Sequence, residues 1–195
     1  MRLTRAYVDA PLAVGATIPL PEAVAGHLVR VLRLGTGEAC VLFNGDGNDY
    51  HARIASAGKR DTAVEITGVR AVDTESPLHI TLLQTIARGD KMDWIVQKAT
   101  ELGVAAIMPV SSERSEVRLS GDRADKRLAH WRSVAISACE QSGRARLPAI
   151  EAPGSLASAI KRLPEHTAGL ILDPEAANAI AQLDPGTHTS VMLAI

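Results

Sequence analysis

The chain has 195 residues, 46% of them hydrophobic and 22% charged, enough to bury a sizeable core in one or two domains. Its formal net charge of −1 gives no global argument for a polyanionic partner. Cys40 and Cys139 stand far apart and outside any CxxC pattern, which excludes a disulfide framework and a zinc site and leaves two buried reduced thiols as the expectation.

The N-terminal stretch MRLTRAYVDAPLAVG lacks the apolar core of a signal peptide. No window approaches the roughly 18 apolar residues of a membrane span. A cytoplasmic location without a membrane partner is therefore expected. Residues 1–70 read as short strands between turns. Pro21 to Arg33, PEAVAGHLVRVLR, places Val24, Leu28, Val31 and Leu32 at helical spacing, with His27, Arg30 and Arg33 on another side. Strand-like runs at about 38–43, 49–55 and 62–69 are separated by NGDGN and SAGKRD, both turn compositions, and predict a small antiparallel sheet or barrel.

AVDTESP, residues 71–77, is polar and ends in proline, the expected linker. Beyond it, LHITLLQTIA (78–87), VAAIMPV (104–110), GLILD (169–173) and TSVMLAI (189–195) are continuous apolar runs, as strands covered on both faces require. Helical patterns alternate with them, so the second domain is expected to be α/β with a largely parallel sheet. The first of these helices has Asp90 as cap, Asp93 in its first turn, a stripe of Met92, Ile95, Ala99 and Leu102, and Gly103 at its end. Lys91, Lys98 and Glu101 fall on its polar side, as structural or interface residues. A longer helix, Asp122 to Ser142, sets Leu128, Trp131, Ala135, Ala138 and Ser142 at 3–4 spacing, and a shorter one follows Ser155. The final apolar run reaches Ile195 without the loop and helix that normally follow such a strand, so the sequence reads as a fragment of something longer.

No GxGxxG, GxxxxGK[ST] or GxSxG occurs, and the six histidines show no HExxH or close pairing, so no metal is expected. NGDGND lacks the terminal Glu of a calcium loop and is expected to be a hairpin turn. The arginines carry more. From Arg88 to Arg146 there are 11 Lys and Arg against 8 Asp and Glu. Arg114 follows the strand VAAIMPV at the carboxyl edge, where parallel sheets build their sites. It either pairs within its loop with Glu113 and Glu116 or aims its planar fork at phosphate or a base edge. In CEQSGRARLP, residues 139–148, Gly143 stops the helix, and Arg144 and Arg146 follow. Helix capping accounts for one such cation but not for two plus Arg114, which points to an anionic ligand, RNA or a nucleotide.

HLVRVLR (27–33), GDKMDWIVQKATELGV (89–104), PVSSERSEVRL (109–119) and AISACEQSGRARLP (135–148) resemble, in order and spacing, the RsmE family of 16S ribosomal RNA (uracil-N3)-methyltransferases, within the SPOUT or α/β-knot superfamily. The resemblance implies a PUA-like β-barrel that binds RNA over residues 1–70. It implies a SPOUT domain over 78–195 whose deep trefoil knot binds S-adenosylmethionine, in a homodimer with the active site near the subunit interface. The implied partner is 16S ribosomal RNA or the small ribosomal subunit. The family's GPEGG loop and LGxRILRxETA segment are not in this sequence, so the knot is expected to be incomplete in it.

The resemblance leaves Leu172, Asp173 and Pro174, together with Leu193, Ala194 and Ile195, near the expected cofactor pocket. Methylation at N3 requires loss of the imide proton and stabilisation of charge on the base carbonyls, which guanidinium groups supply without giving up a proton. Arg114 and Arg144 are accordingly assigned to orienting the uridine or its phosphate, with Glu140 and Gln141 as hydrogen-bonding neighbours. Arg2, Arg5, His27, Arg30 and Arg33, with Arg146, are candidate RNA contacts, or equally plain surface charges. Two alternatives stay open: a non-catalytic RNA-binding module, and a related knot enzyme acting on another RNA.

Overall fold

The computed structural model describes the chain apart from residues 1–2, 59–60, 112–118, 164–166, 174, 178, 180–181 and 183–188. Arg2, Arg114 and Pro174 therefore lie outside the described residues. The chain divides into two compact units, Met1–Thr74 with Cys139–Arg146, and Glu75–Ala138 with Leu147–Ile195. The first unit's border falls within the expected linker, but its inclusion of residues 139–146 has no counterpart in the sequence reading.

In the first unit the strands are β1 (Arg5–Tyr7), β2 (Thr17–Pro19), β3 (Ala39–Phe43), β4 (Asn48–Ala57) and β5 (Thr62–Ala71). They form a sheet in the order β1-β3-β4-β5-β2. The three middle strands are antiparallel neighbours, as their alternation and turns predict, while β1 adds in parallel to β3. Register shifts between His51 and Ala52 and between Ile54 and Ser56 mark bulges, which bend a long strand pair. Period-two alternation turns Ala52, Ile54, Val64 and Ile66 inward, where they pack with Leu28, Cys40 and Leu42.

The segment after Pro21 departs from expectation. Only Glu22–Ala25 is α-helical (α1), and Gly26–Val31 winds as a π-helix, closed by the Leu32 N–H on the His27 carbonyl at 3.0 Å. A stripe read at 3.6 residues per turn goes out of phase in this wider winding. Leu28 is fully buried, but Val31 is 68% exposed and Leu32 is exposed as well.

The second unit holds β6 (His79–Thr85), α2 (Asp90–Glu101), β7 (Ala106–Ser111), α3 (Asp122–Ser142, whose last turn belongs to the first unit), β8 (Ala149–Ile150), β9 (Gly154–Ser155), α4 (Leu156–Lys161), β10 (Ala168–Ile171) and β11 (Ser190–Ala194). Its sheet runs β10-β11-β6-β7-β8, every pairing parallel, with β9 also on β7. Buried on both faces, β6 and β7 send consecutive residues to opposite cores. Leu82 and Ile107 join Met92, Val96 and Trp131 from α2 and α3, whereas Leu83 and Met108 join Ala159 of α4.

Two helix readings are corrected. Gly89, at φ +53, takes the N-cap position of α2, so Asp90 is the first helical residue and caps nothing. Val96 and Thr100 join Met92 in the buried stripe, while Leu102 is 85% exposed just past the last turn. In α3, Trp131, Ala135 and Ala138 are buried as expected, Cys139 joins them, and Ser142 is exposed. Ser155 caps α4, its Oγ accepting from the Ser158 N–H at 3.2 Å. With only six residues to propagate, α4 depends on that cap, and Ser155→Ala is expected to cost about 1 kcal/mol in denaturant unfolding.

Candidate functional site

At the carboxyl edge of the parallel sheet, three strand ends meet. The Leu172 N–H donates to Ala194 O at 3.0 Å, the Ile195 N–H to Leu83 O at 3.1 Å, and the Thr85 N–H to Ile195 O at 3.0 Å. These bonds set Leu172 and Asp173, after β10, beside Leu193, Ala194 and Ile195, at the end of β11. Five of the residues expected near a cofactor are thus brought together. Ile171, 78% exposed, joins Leu172 and Ile195 as apolar surface on this edge; sequence reasoning did not single it out. Asp173 takes the Glu175 N–H on Oδ1 at 2.9 Å and the Ala176 N–H on its carbonyl at 3.1 Å, which shapes the turn after β10. Its second carboxylate oxygen offers an acceptor for a ligand hydroxyl.

The exit of α3 lies in the first unit. Gly143, at φ +90, returns its N–H to Cys139 O at 3.0 Å and ends the helix as its composition predicts. Arg144 behind it is only 6% exposed. Its carbonyl accepts from Arg5 Nη2 at 3.0 Å, and Glu140 Oε1 accepts the Tyr7 N–H of β1 at 3.0 Å. One oxygen of Glu140 is therefore committed to holding the helix end on β1. Gln141 is exposed.

Arg5 is enclosed within the first unit. Expected as an RNA contact, it is 7% exposed in its side chain and ion-paired with Asp49, whose side chain is 3% exposed. It also lies 4.9 Å over the ring of Phe43. Asp49 takes a second guanidinium, Arg70 Nη2 at 3.1 Å. Long-range pairing of a buried carboxylate has consumed the cation that local sequence left looking free. His27, Arg30 and Arg33 remain exposed. Arg33, at φ +59, sits in the left-handed region, a conformation costing about 1 kcal/mol for a residue with a Cβ.

Arg146 is exposed and lays its guanidinium over Gly47 in the β3–β4 turn, while the Gly47 N–H donates to Ala145 O at 3.1 Å. Burial opposes ionisation of Asp46 in that turn. Bonds from the Tyr50 hydroxyl at 2.7 Å and the Asn48 N–H at 2.8 Å, and the field of Arg146, outweigh it and hold the carboxyl below the usual range. Gly47 has φ +97, and an added Cβ would lie 2.8 Å from Arg146 Cζ. Gly47→Ala is expected to cost about 1–2 kcal/mol by thermal unfolding and to expel the guanidinium from the turn. Among the described residues no cluster of His, Cys, Asp and Glu is disposed to hold a metal, and no helix is long and apolar enough to cross a membrane.

A mixed sheet followed by a parallel sheet describes a two-part protein, and its relatives give the class. Residues 74–195 match the RNA methyltransferase domain family and residues 20–67 the RNA methyltransferase PUA domain family. A ribosomal RNA small subunit methyltransferase E from Buchnera aphidicola (Schizaphis graminum) is 29% identical over 93% of this chain and 74% of its own length. The Bacillus subtilis protein of that name is 29% identical over 70% of this chain and 54% of its own. The crystal structure of ribosomal RNA small subunit methyltransferase E from Neisseria gonorrhoeae bound to S-adenosyl methionine superposes with a TM-score of 0.92 at 39% identity, covering 99% of this chain and 79% of that one. The chain belongs to the ribosomal RNA small subunit methyltransferase E family.

Proposed function

We propose that this RNA methyltransferase transfers a methyl group from S-adenosylmethionine to N3 of a uridine in 16S ribosomal RNA. The observation that carries the reading is the carboxyl edge where Leu172 and Asp173 lie beside Leu193, Ala194 and Ile195. The residues there suit the cofactor. Exposed Ile171, Leu172 and Ile195 offer apolar surface for an adenine ring, and Asp173 an acceptor for ribose hydroxyls. When bound, S-adenosylmethionine supplies an electrophilic methyl on a sulfonium.

The protein's own part is to orient the base and stabilise charge. As the N3–H proton leaves to solvent, negative charge grows on the flanking carbonyl oxygens, and a guanidinium can stabilise it while staying protonated. Arg144 and Arg114 are assigned that role, with Gln141 as a hydrogen-bonding neighbour. Glu140 acts through one carboxylate oxygen that fixes the end of α3, as a positioning residue. Exposed His27, Arg30, Arg33 and Arg146 are assigned to RNA phosphates.

The proposal extends to a cytoplasmic homodimer with a trefoil knot in the second domain and a PUA-like RNA-binding domain over residues 1–70. Exposed Trp94 and Leu102 support self-association, and the unit border at Thr74 supports the domain division. Incubation with S-adenosylmethionine and unmodified small ribosomal subunits, followed by nucleoside mass spectrometry, tests the chemistry. N3-methyluridine is expected. Another methylated nucleoside would overturn the assigned atom, and absence of any would leave RNA binding without transfer as the better reading.

A further inference from the structure

A cavity of about 560 Å³ opens in the second unit, where the chain leaves β6 for α2 and passes the first half of α3. Arg88, Arg123, Lys126, Arg127, His130 and Trp131 line it, and no carboxylate does among its described lining residues. Arg123, Arg127 and His130 recur at helical spacing and so share one face of α3. Asp93, from α2, reaches His130 at 2.7 Å, and four permanent cations, Arg88, Arg123, Lys126 and Arg127, stand on the wall. Trp131, only 2% exposed, carries an indole Nε1–H with no partner among the described residues. A buried donor of that kind is normally satisfied.

We propose that this cavity is a phosphate subsite gripping the backbone of the RNA substrate. The proposal rests on the reading of the chain as an RNA methyltransferase and adds a place where the substrate is held. Extent favours a polymer over a lone anion. From Arg123 to His130 the helix rises about 10 Å, a span suited to successive phosphodiesters. Guanidinium forks give bidentate contacts to phosphate oxygens, and the Trp131 ring lines the same cavity, where it reports on an occupant.

The test follows the Trp131 indole resonance in ¹H–¹⁵N spectra, assigned with Trp94→Phe, during titration with inorganic phosphate and with a ten-nucleotide uridine RNA. Both probes are expected to move it, the RNA at lower concentration. The double variant R123Q/R127Q, changed at exposed positions, is expected to bind the RNA about tenfold more weakly by fluorescence anisotropy. Two lost phosphate contacts should lower the slope of log K against log salt by about 1.4. If neither probe moves the resonance, or if the double variant keeps affinity and slope, the subsite is overturned, while RNA binding by the wild type leaves the functional reading intact. A shift with phosphate but not with RNA rejects the RNA backbone as occupant. A chain that responds to phosphate yet binds no RNA at all counts against the functional reading itself.

Discussion

Asp49→Ala is expected to destabilise the protein by about 3–5 kcal/mol, with a melting temperature lower by roughly 10 °C in calorimetry. The size comes from what is left behind. Arg5 would remain as an uncompensated charge in an interior position, and its Nε already lacks a partner among the described residues. Arg70, bonded to the same carboxylate but with its side chain 66% exposed, keeps its hydration, so Arg70→Ala is expected to cost no more than about 1 kcal/mol. Replacing both buried partners, as in R5M/D49L, should recover most of the loss, because two apolar groups carry no desolvation cost. A loss under 1 kcal/mol for Asp49→Ala would show that water reaches Arg5 readily.

Arg144→Ala is expected to lower methyl transfer to small-subunit RNA by about a hundredfold, chiefly in kcat, the scale of removing one preorganised donor from a developing anion. Its surroundings support that assignment. The side chain is nearly buried, its carbonyl is held by Arg5, and Gly143 sets the turn that precedes it. Arg144→Lys keeps a charge but loses the planar fork, so it should recover only part of the rate. Unchanged turnover with Ala would remove the residue from the site. A fall in melting temperature together with a proportional loss of S-adenosylmethionine binding would mark it as structural.

Local pattern revealed the elements that obey one period throughout. The continuous apolar runs became β6, β7, β10 and β11, and α3 has the predicted limits because its stripe repeats at 3–4 spacing from Leu128 to Cys139 and a glycine closes it. The stripe after Pro21 went astray because a π-helical turn changes the period midway, and nothing in PEAVAGHLVRVLR announces that change. Gly89 displaced Asp90 as cap through a backbone angle, which composition does not encode. Of the candidate site, the residues at strand ends came from the family resemblance, and the bonds among β10, β11 and β6 set five of them side by side. Arg5 was not. Its partner Asp49 lies 44 residues away, and Arg144 lies 139 away, distances at which periodicity carries no signal.

Because Leu82 and Leu83 enter opposite cores, as do Ile107 and Met108, β6 and β7 each serve two hydrophobic interiors at once. Deleting or inserting a single residue inside either strand would exchange those allegiances for everything downstream in that strand, spoiling both interiors together. Length variation among descendants of this sequence should accordingly collect in the connections, while the strands drift by substitution alone.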